Sequence, residues 1–248
     1  MKRLVDRFGD EASGCNSLPD LHSLLDSASR ELGFHYYALL HHASLGASND
    51  HYVRIDNYPE SWVAELLGSG LADEDPVHLA SRRMNIGFAW SELGGLIRLT
   101  DRQRSILRRS RRHGMGAGFT IPANVHGEPS GSCSFAVRCG DELPRLKLKC
   151  AELVGGHAFR AARRVQAADH PPVRPHLSRR EIQCLRLLAI GKSDWEIATI
   201  LGISRETVRQ YVKRARAAYE VASRTQLAVH GLRDDWVRFE EAAPFRVT

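Results

Sequence analysis

The sequence predicts an α+β protein: an N-terminal α-β-α sandwich with an antiparallel sheet, followed by a small all-α helix-turn-helix domain. Three observations carry that reading. Aromatic and β-branched runs sit among amphipathic segments through the first two thirds of the chain, the pattern of strands flanked by helices. A stretch rich in proline then has little to bury. Beyond it, short apolar-periodic segments follow one another, each opened by its own helix start signal.

In chain order, Leu18 to Leu32 is amphipathic and reads as a helix, and Phe34 to Leu40 and His51 to Ile55 read as strands. Pro59 opens a helix carrying Trp62, Leu66 and Leu67, since proline suits the first turn, where the missing N–H has no partner to lose. Thr100 and Gln103 have the capping-box spacing and start an arginine-rich helix reaching about Arg112. Phe119 to Val125 and Ser132 to Arg138 read as neighbouring strands joined by a turn at His126-Gly127-Glu128-Pro129. Pro144 starts a long helix to about Arg164. Residues 167–176 hold three prolines and read as an extended linker. The expected division is therefore 17–166, a linker at 167–176, and a helical domain at 177–236.

The helical domain is the more sharply written half. Ser178 with Glu181, Ser193 with Glu196, and Ser223 with Gln226 all match the capping box, in which serine accepts from a free helix N–H and the acid or amide reaches back. Gly202 can take the left-handed conformation that ends a helix, and Ser204 can cap the next. Four helices result, two of them joined by a turn of about four residues, the helix-turn-helix spacing. Ile182, Leu185, Leu188 and Ala189 line one face of the first, Ile197, Ile200 and Leu201 the second, and Val208, Val212, Ala215 and Tyr219 the third. On the third, Arg205, Arg209, Lys213 and Arg216 form a separate basic stripe, as a recognition helix requires. A basic stripe is also what a solvated face of an ordinary bundle shows; the caps and the Gly202 turn favour DNA. Charge agrees. The chain carries +6 overall, and residues 178–233 hold eleven Lys/Arg against five Asp/Glu, which favours a polyanionic partner, double-stranded DNA.

This segment resembles the DNA-binding domain of LuxR-type regulators at Glu181, Leu185, Gly191, Glu196, Ile197, Ala198, Leu201, Ile203, Thr207, Val208, Ser223, Arg224 and Gln226. It departs at Ala218-Tyr219, where the family usually has Lys-Leu, which bears on a phosphate contact but not on the fold. Because one recognition helix reads only a few base pairs, a dimer on an inverted repeat is expected, with Arg209 and Lys213 facing base edges, Lys192 and Arg224 near phosphates, and Ser193, Arg205, Thr207 and Arg216 completing the DNA-binding set. RNA polymerase is the further protein partner expected of such a regulator.

In the N-terminal part, Tyr58, Trp62, Asp75 and Trp90 have two readings. Aromatics in a sandwich are ordinarily core, and Asp75-Pro76 is a common turn signal. The same set suits a small amphiphile, because indole N–H and phenol O–H donate to carbonyls while a carboxylate accepts from an amide N–H. Asn57-Tyr58-Pro59-Glu60-Ser61-Trp62, then Asp75-Pro76, Phe88-Ala89-Trp90, Gly118-Phe119-Thr120-Ile121-Pro122 and Ser134 resemble the autoinducer-binding domain of quorum-sensing LuxR-type proteins. The ligand implied is an N-acyl homoserine lactone. Trp62 would then donate to the lactone carbonyl and Asp75 accept from the amide N–H. Tyr58 and Ser134 would bond the acyl carbonyl, Trp90 pack on the lactone ring, and Gly118 leave room beside it, with Thr120 in the same candidate set. The family's tyrosine against the acyl chain is Leu66 here, which implies a roomier or reshaped tail pocket.

Other classes fit less well. Ser134 lacks a Gly-x-Ser-x-Gly elbow, so no hydrolase and no catalytic residue is expected. His35, His41, His42 and His51 match no zinc spacing, and no cofactor is expected. The five cysteines form no C-x-x-C pair and read as reduced thiols. No membrane partner is expected, and the location expected is the cytoplasm. The arginines between Arg98 and Arg112 read as a solvated face, or a contact for an acidic partner or DNA. The remaining alternatives are a regulator that senses another small molecule or none, and a lactone-processing enzyme.

Overall fold

The computed structural model describes residues 2–45, 52–169 and 174–243. The chain forms two compact units, one built on a sheet and the other on the helix-turn-helix.

The first unit opens with α1 (Lys2–Gly14) and α2 (Leu18–Glu31), followed by β1 (Tyr36–His41), β2 (Arg54–Asp56) and α3 (Glu60–Gly68). Then come α4 (Pro76–Ser81), β3 (Phe88–Ala89), α5 (Leu93–Leu96), α6 (Asp101–Arg112), β4 (Met115–Ala123), β5 (Gly131–Arg138) and α7 (Leu148–Asp169). The strands lie in the order β2-β1-β5-β4-β3, every neighbouring pair antiparallel. Side chains alternate across a strand, and on β5 this divides the domain. Cys133, Phe135 and Val137 join the core made by α1, α2 and α7. Ala136 packs instead with Trp62, Leu66 and Ile106 of α3 and α6, and Ser132 and Ser134 share its face. The sandwich expected from the sequence is present.

Local signals place the elements. Ser17 caps α2 by accepting from the Asp20 N–H at 3.2 Å, and Thr100 and Gln103 close a capping box on α6. Four features depart from expectation. The helix α1 was not anticipated, although Leu4, Val5, Phe8 and Ala12, all buried, have helical spacing. The long helix begins at Leu148 rather than Pro144, because Arg145–Lys147 forms a single 3₁₀ turn first. It then runs through Asp169, three residues into the expected linker; residues 170–173 of that linker lie outside the described residues. The second strand is short, and His51, its expected start, also lies outside them.

The second unit comprises α8 (Arg179–Ala189), α9 (Asp194–Leu201), α10 (Arg205–Ala218), α11 (Arg224–Arg233) and a short α12 (Phe239–Ala242). All three expected capping boxes form, at Ser178, Ser193 and Ser223. Gly202 ends α9 at φ 63°, in the left-handed region glycine enters without strain, and Ser204 caps α10. Leu185, Leu188, Ile197, Val208, Val212, Ala215 and Tyr219 form the core. Ile200, placed on the buried face by its spacing, is instead 54% exposed, since in a helix of only two turns the seam is narrow enough to be filled by Ile197 and Ala198. Tyr219, the departure from the family pattern, turns its hydroxyl inward. It donates to buried Asp234 at 2.9 Å and accepts from the Trp236 indole N–H at 2.9 Å. Among the described residues no helix is long and apolar enough to cross a membrane.

Candidate ligand cavity and nucleic-acid interface

A cavity opens between the sheet and the α3–α6 layer. It is walled by Ala38 and Leu40 of β1, by Trp62, Val63, Leu66 and Leu67 of α3, and by Ile106, Leu107 and Ser110 of α6. Tyr58, Asp75, Trp90, Met115, Ser132 and Ser134 complete most of the lining. The centre of a water-sized sphere is admitted over about 50 Å³. Six of the eight residues expected at a ligand site, Tyr58, Trp62, Leu66, Asp75, Trp90 and Ser134, therefore meet around one space.

The other two stand behind it. Thr120, fully buried, accepts from the Trp90 indole N–H at 2.9 Å and lies 2.8 Å from Ser134 Oγ. Ser134 in turn faces the Tyr58 hydroxyl across the same wall. Burial pushes the Tyr58 phenol well above the ordinary tyrosine range, with the Asp75 and Asp56 carboxylates adding to it, so it stays protonated as a donor. Gly118 does not line the cavity; it faces the Trp90 indole, where a Cβ would lie 2.3 Å from the ring. The room it leaves is for Trp90. This run of hydrogen bonds fixes the orientation of the wall before any ligand arrives.

Two polar groups on the lining have unused capacity. Asp75 is buried, and its Oδ1 accepts from the Val77 N–H at 2.8 Å, capping α4. That confirms the turn role of Asp75-Pro76 and leaves Oδ2 without a hydrogen bond among the described residues. The Trp62 indole, also buried, finds no acceptor for its N–H among the described residues. A donor and an acceptor held open in one enclosed site suit an amide flanked by carbonyls.

The helix bearing Trp62 is tied down from outside. His113, at the end of α6, lies 2.8 Å from Ser61 Oγ and 2.5 Å from Glu65 Oε2, and its ring packs on Trp62 at 5.7 Å. Arg109 pairs with the same Glu65. The hydrogen bond from His113, then the Arg109 charge, hold the Glu65 carboxyl below its usual range against partial burial.

Sequence reasoning missed His78, Ser132, Arg54 and Asp56, which also line the cavity. For Ser132 the signal was present: two residues from Ser134 on a strand is the same face. Among the described residues no group of histidine, cysteine or carboxylate side chains could hold a metal ion; His41 and His42 are buried.

In the second unit, Arg205, Arg209 and Lys213 project from α10 into solvent. Arg209 is loosely held, 3.8 Å from Asp194 and 3.6 Å from Glu206. Arg216, expected in the same stripe, is half-buried and donates to the backbone carbonyls of Val221 and Ala222. Arg224 pairs with Asp194 and donates to the Lys192 carbonyl. Lys192 pairs with Glu196 at 3.2 Å, Ser193 caps α9, and Thr207 lies 2.8 Å from Ser204 Oγ. Arg205, Arg209 and Lys213 thus stand exposed in solvent, whereas Arg216 and Arg224 also brace the helices around them.

Comparison with known proteins matches two families. The autoinducer binding domain family covers residues 17–162, and the luxR family of bacterial regulatory proteins covers residues 175–230. The HTH-type protein y4qH of Sinorhizobium fredii is 29% identical over 180 residues, 71% of this chain and only 54% of the relative. The transcriptional activator VanR of Vibrio anguillarum is 29% identical over 216 residues, 84% of this chain and 87% of VanR. The crystal structure of Escherichia coli SdiA superposes with a TM-score of 0.67 at 24% identity, covering 90% of this chain and 92% of SdiA. This last likeness is one of fold.

Proposed function

The chain belongs to the LuxR family of bacterial regulatory proteins and carries the family's autoinducer-binding domain, and from that premise we propose that its signal is an N-acyl homoserine lactone. It is a signal-responsive, DNA-binding transcriptional regulator, in a family of regulators rather than enzymes. The single observation that carries the lactone reading is the cluster of Tyr58, Trp62, Asp75 and Ser134 around one cavity, with the Trp62 N–H and Asp75 Oδ2 unused. Trp62 donates to the lactone carbonyl, Asp75 accepts from the amide N–H, and Tyr58 and Ser134 bond the acyl carbonyl. Trp90 packs on the lactone ring, and Leu66 borders the acyl chain.

On the DNA side, a dimer reads an inverted repeat, with one α10 in each of two major-groove segments about 34 Å apart. Arg209 and Lys213 reach base edges, and Lys192 and Arg224, near helix starts, lie toward phosphates, with Arg205 beside them. On α11 the pairing surface is carried by the exposed Val229, since Leu227, the apolar residue expected there, is buried in the core. The setting is cytoplasmic, and RNA polymerase is a partner at the promoter. Ligand acts by binding one arrangement of the dimer more tightly than another, since only differential affinity shifts such an equilibrium. Mass spectrometry of the small molecule retained after expression in the presence of mixed acyl homoserine lactones tests the reading. Recovery of a lactone in stoichiometric amount supports it; recovery of none, from folded protein, overturns it.

A further inference from the structure

The cavity has a polar end that the head-group residues do not use. Ser132 lies two residues before Ser134 on β5, roughly 7 Å along the strand at about 3.4 Å per residue, and sits opposite Leu40 of β1. Ser132 and His78 both line the cavity. Both are buried, as are their neighbours His42 and Ser81.

The hydrogen-bond network assigns the protons. Ser81 donates its O–H to the His78 carbonyl at 3.0 Å, so its oxygen can only accept from His42 Nε2, 3.4 Å away. His42 therefore carries its proton on Nε2, which also reaches Ser132 Oγ at 3.1 Å. Ser132 accepts there and keeps its own O–H to donate. Burial first, then the neighbouring His78, Arg82 and His41, push the His42 pKa down to about 2, so the ring is neutral. Its Nδ1 is buried with no hydrogen-bond partner among the described residues. His78 stacks on His42 with ring centroids 4.3 Å apart. Its Nδ1 faces the Ala72 carbonyl at 3.4 Å, a contact only an N–H can satisfy, so Nε2 is left as an acceptor. The wall thus offers one donor, the Ser132 O–H, and one acceptor, His78 Nε2, both beside His42. Arg54, further along the lining, is paired with Asp56 at 3.0 Å, so the lining there carries no net charge that would call for an ionised tail.

We propose that the signal carries a hydroxyl on the outer part of its acyl chain, seated between Ser132 and His78; this rests on the lactone reading of the head-group end. A hydroxyl accepts from Ser132 and donates to His78. A ketone can only accept, and an unsubstituted chain does neither and leaves the Ser132 O–H and His78 Nε2 unused.

Competition binding to the full chain tests this with hexanoyl homoserine lactone and its counterparts hydroxylated at the penultimate or terminal carbon. The better hydroxylated ligand is expected to bind about fivefold or more tighter than its parent. Ser132→Ala and His78→Leu, which leave Trp62 and Asp75 in place, should each bring that ratio close to one. If His78→Leu fails to fold, Ser132→Ala carries the comparison. Equal or tighter binding of the unsubstituted lactone overturns the hydroxyl inference and leaves the lactone reading standing. If no lactone of either kind binds folded protein, the lactone reading falls, and this inference with it.

Discussion

A Cβ at position 118 would lie 2.3 Å from the Trp90 indole, so Gly118 is what lets that ring lie against β4 with its N–H on Thr120. Gly118→Ala must push the ring off this seat. Overpacking of this kind costs about 1–3 kcal/mol, and the displaced ring enters the cavity it should only border. The variant is expected to unfold at lower urea concentration, with altered tryptophan fluorescence and weaker lactone binding. Unchanged fluorescence and stability would show that the ring has room to spare.

Leu66 borders the cavity where the family usually has tyrosine. Leu66→Tyr adds bulk to the tail side while Trp62 and Asp75 keep their places. The preferred lactone should therefore shift toward shorter acyl chains. A thermal-shift series of lactones of graded length, run on both proteins, reads this directly. An unchanged optimum removes Leu66 from the chain-length determinants.

On α10, Arg209 and Arg216 should behave differently. Arg209 is exposed and weakly paired; Arg209→Ala is expected to cost about 1–3 kcal/mol in operator binding and relax specificity at one position per half-site. Arg216 holds two carbonyls at the end of its helix. Arg216→Ala should lower the melting temperature of the second unit and leave the base preference unaltered. Gel-shift assays on operator variants and thermal unfolding separate the two effects.

The cap of α9 makes a pH prediction. The Ser193 backbone N–H and hydroxyl, then Lys192, pull the Glu196 carboxyl down to about 2 from 4.5. Because the folded value is the lower one, the contribution of this cap is complete above about pH 4.5 and is lost as pH falls through 2. A carboxyl NMR titration should place its midpoint near 2, and Ser193→Ala should move it upward. A midpoint at the ordinary value in the wild type would mean that the box does not persist in solution.

The second unit was legible in the sequence almost to the residue, because capping boxes, a left-handed glycine and helical periodicity are local signals. Ile200 was misplaced since two turns of helix define a face poorly. The bracing bonds of Arg216 and Arg224 were not legible, because their carbonyl and carboxylate partners lie across a turn or on another helix. In the first unit the strands and the α3 and α6 starts were visible, whereas the 3₁₀ turn before α7 and the extension of α7 to Asp169 were not. Tyr58, Trp62, Asp75, Trp90 and Ser134 came from motif spacing and line one cavity. Gly118 and Thr120 did not read as supports for Trp90, because that role depends on strand register. His78 and Ser132 escaped notice because only the fold brings them to His42.

The central claim is that the cavity holds an acyl homoserine lactone through its amide, with Asp75 as acceptor. In Asp75→Asn the Val77 N–H retains the amide oxygen as the cap of α4, so the NH₂ takes the place of Oδ2 and meets the ligand N–H donor to donor. Isothermal titration of octanoyl homoserine lactone into wild type and Asp75→Asn is the most direct measurement. The wild type should bind, and the variant, equally folded, should bind more weakly by about 1–3 kcal/mol. Equal affinity in the two proteins, or no binding to either, would contradict the account.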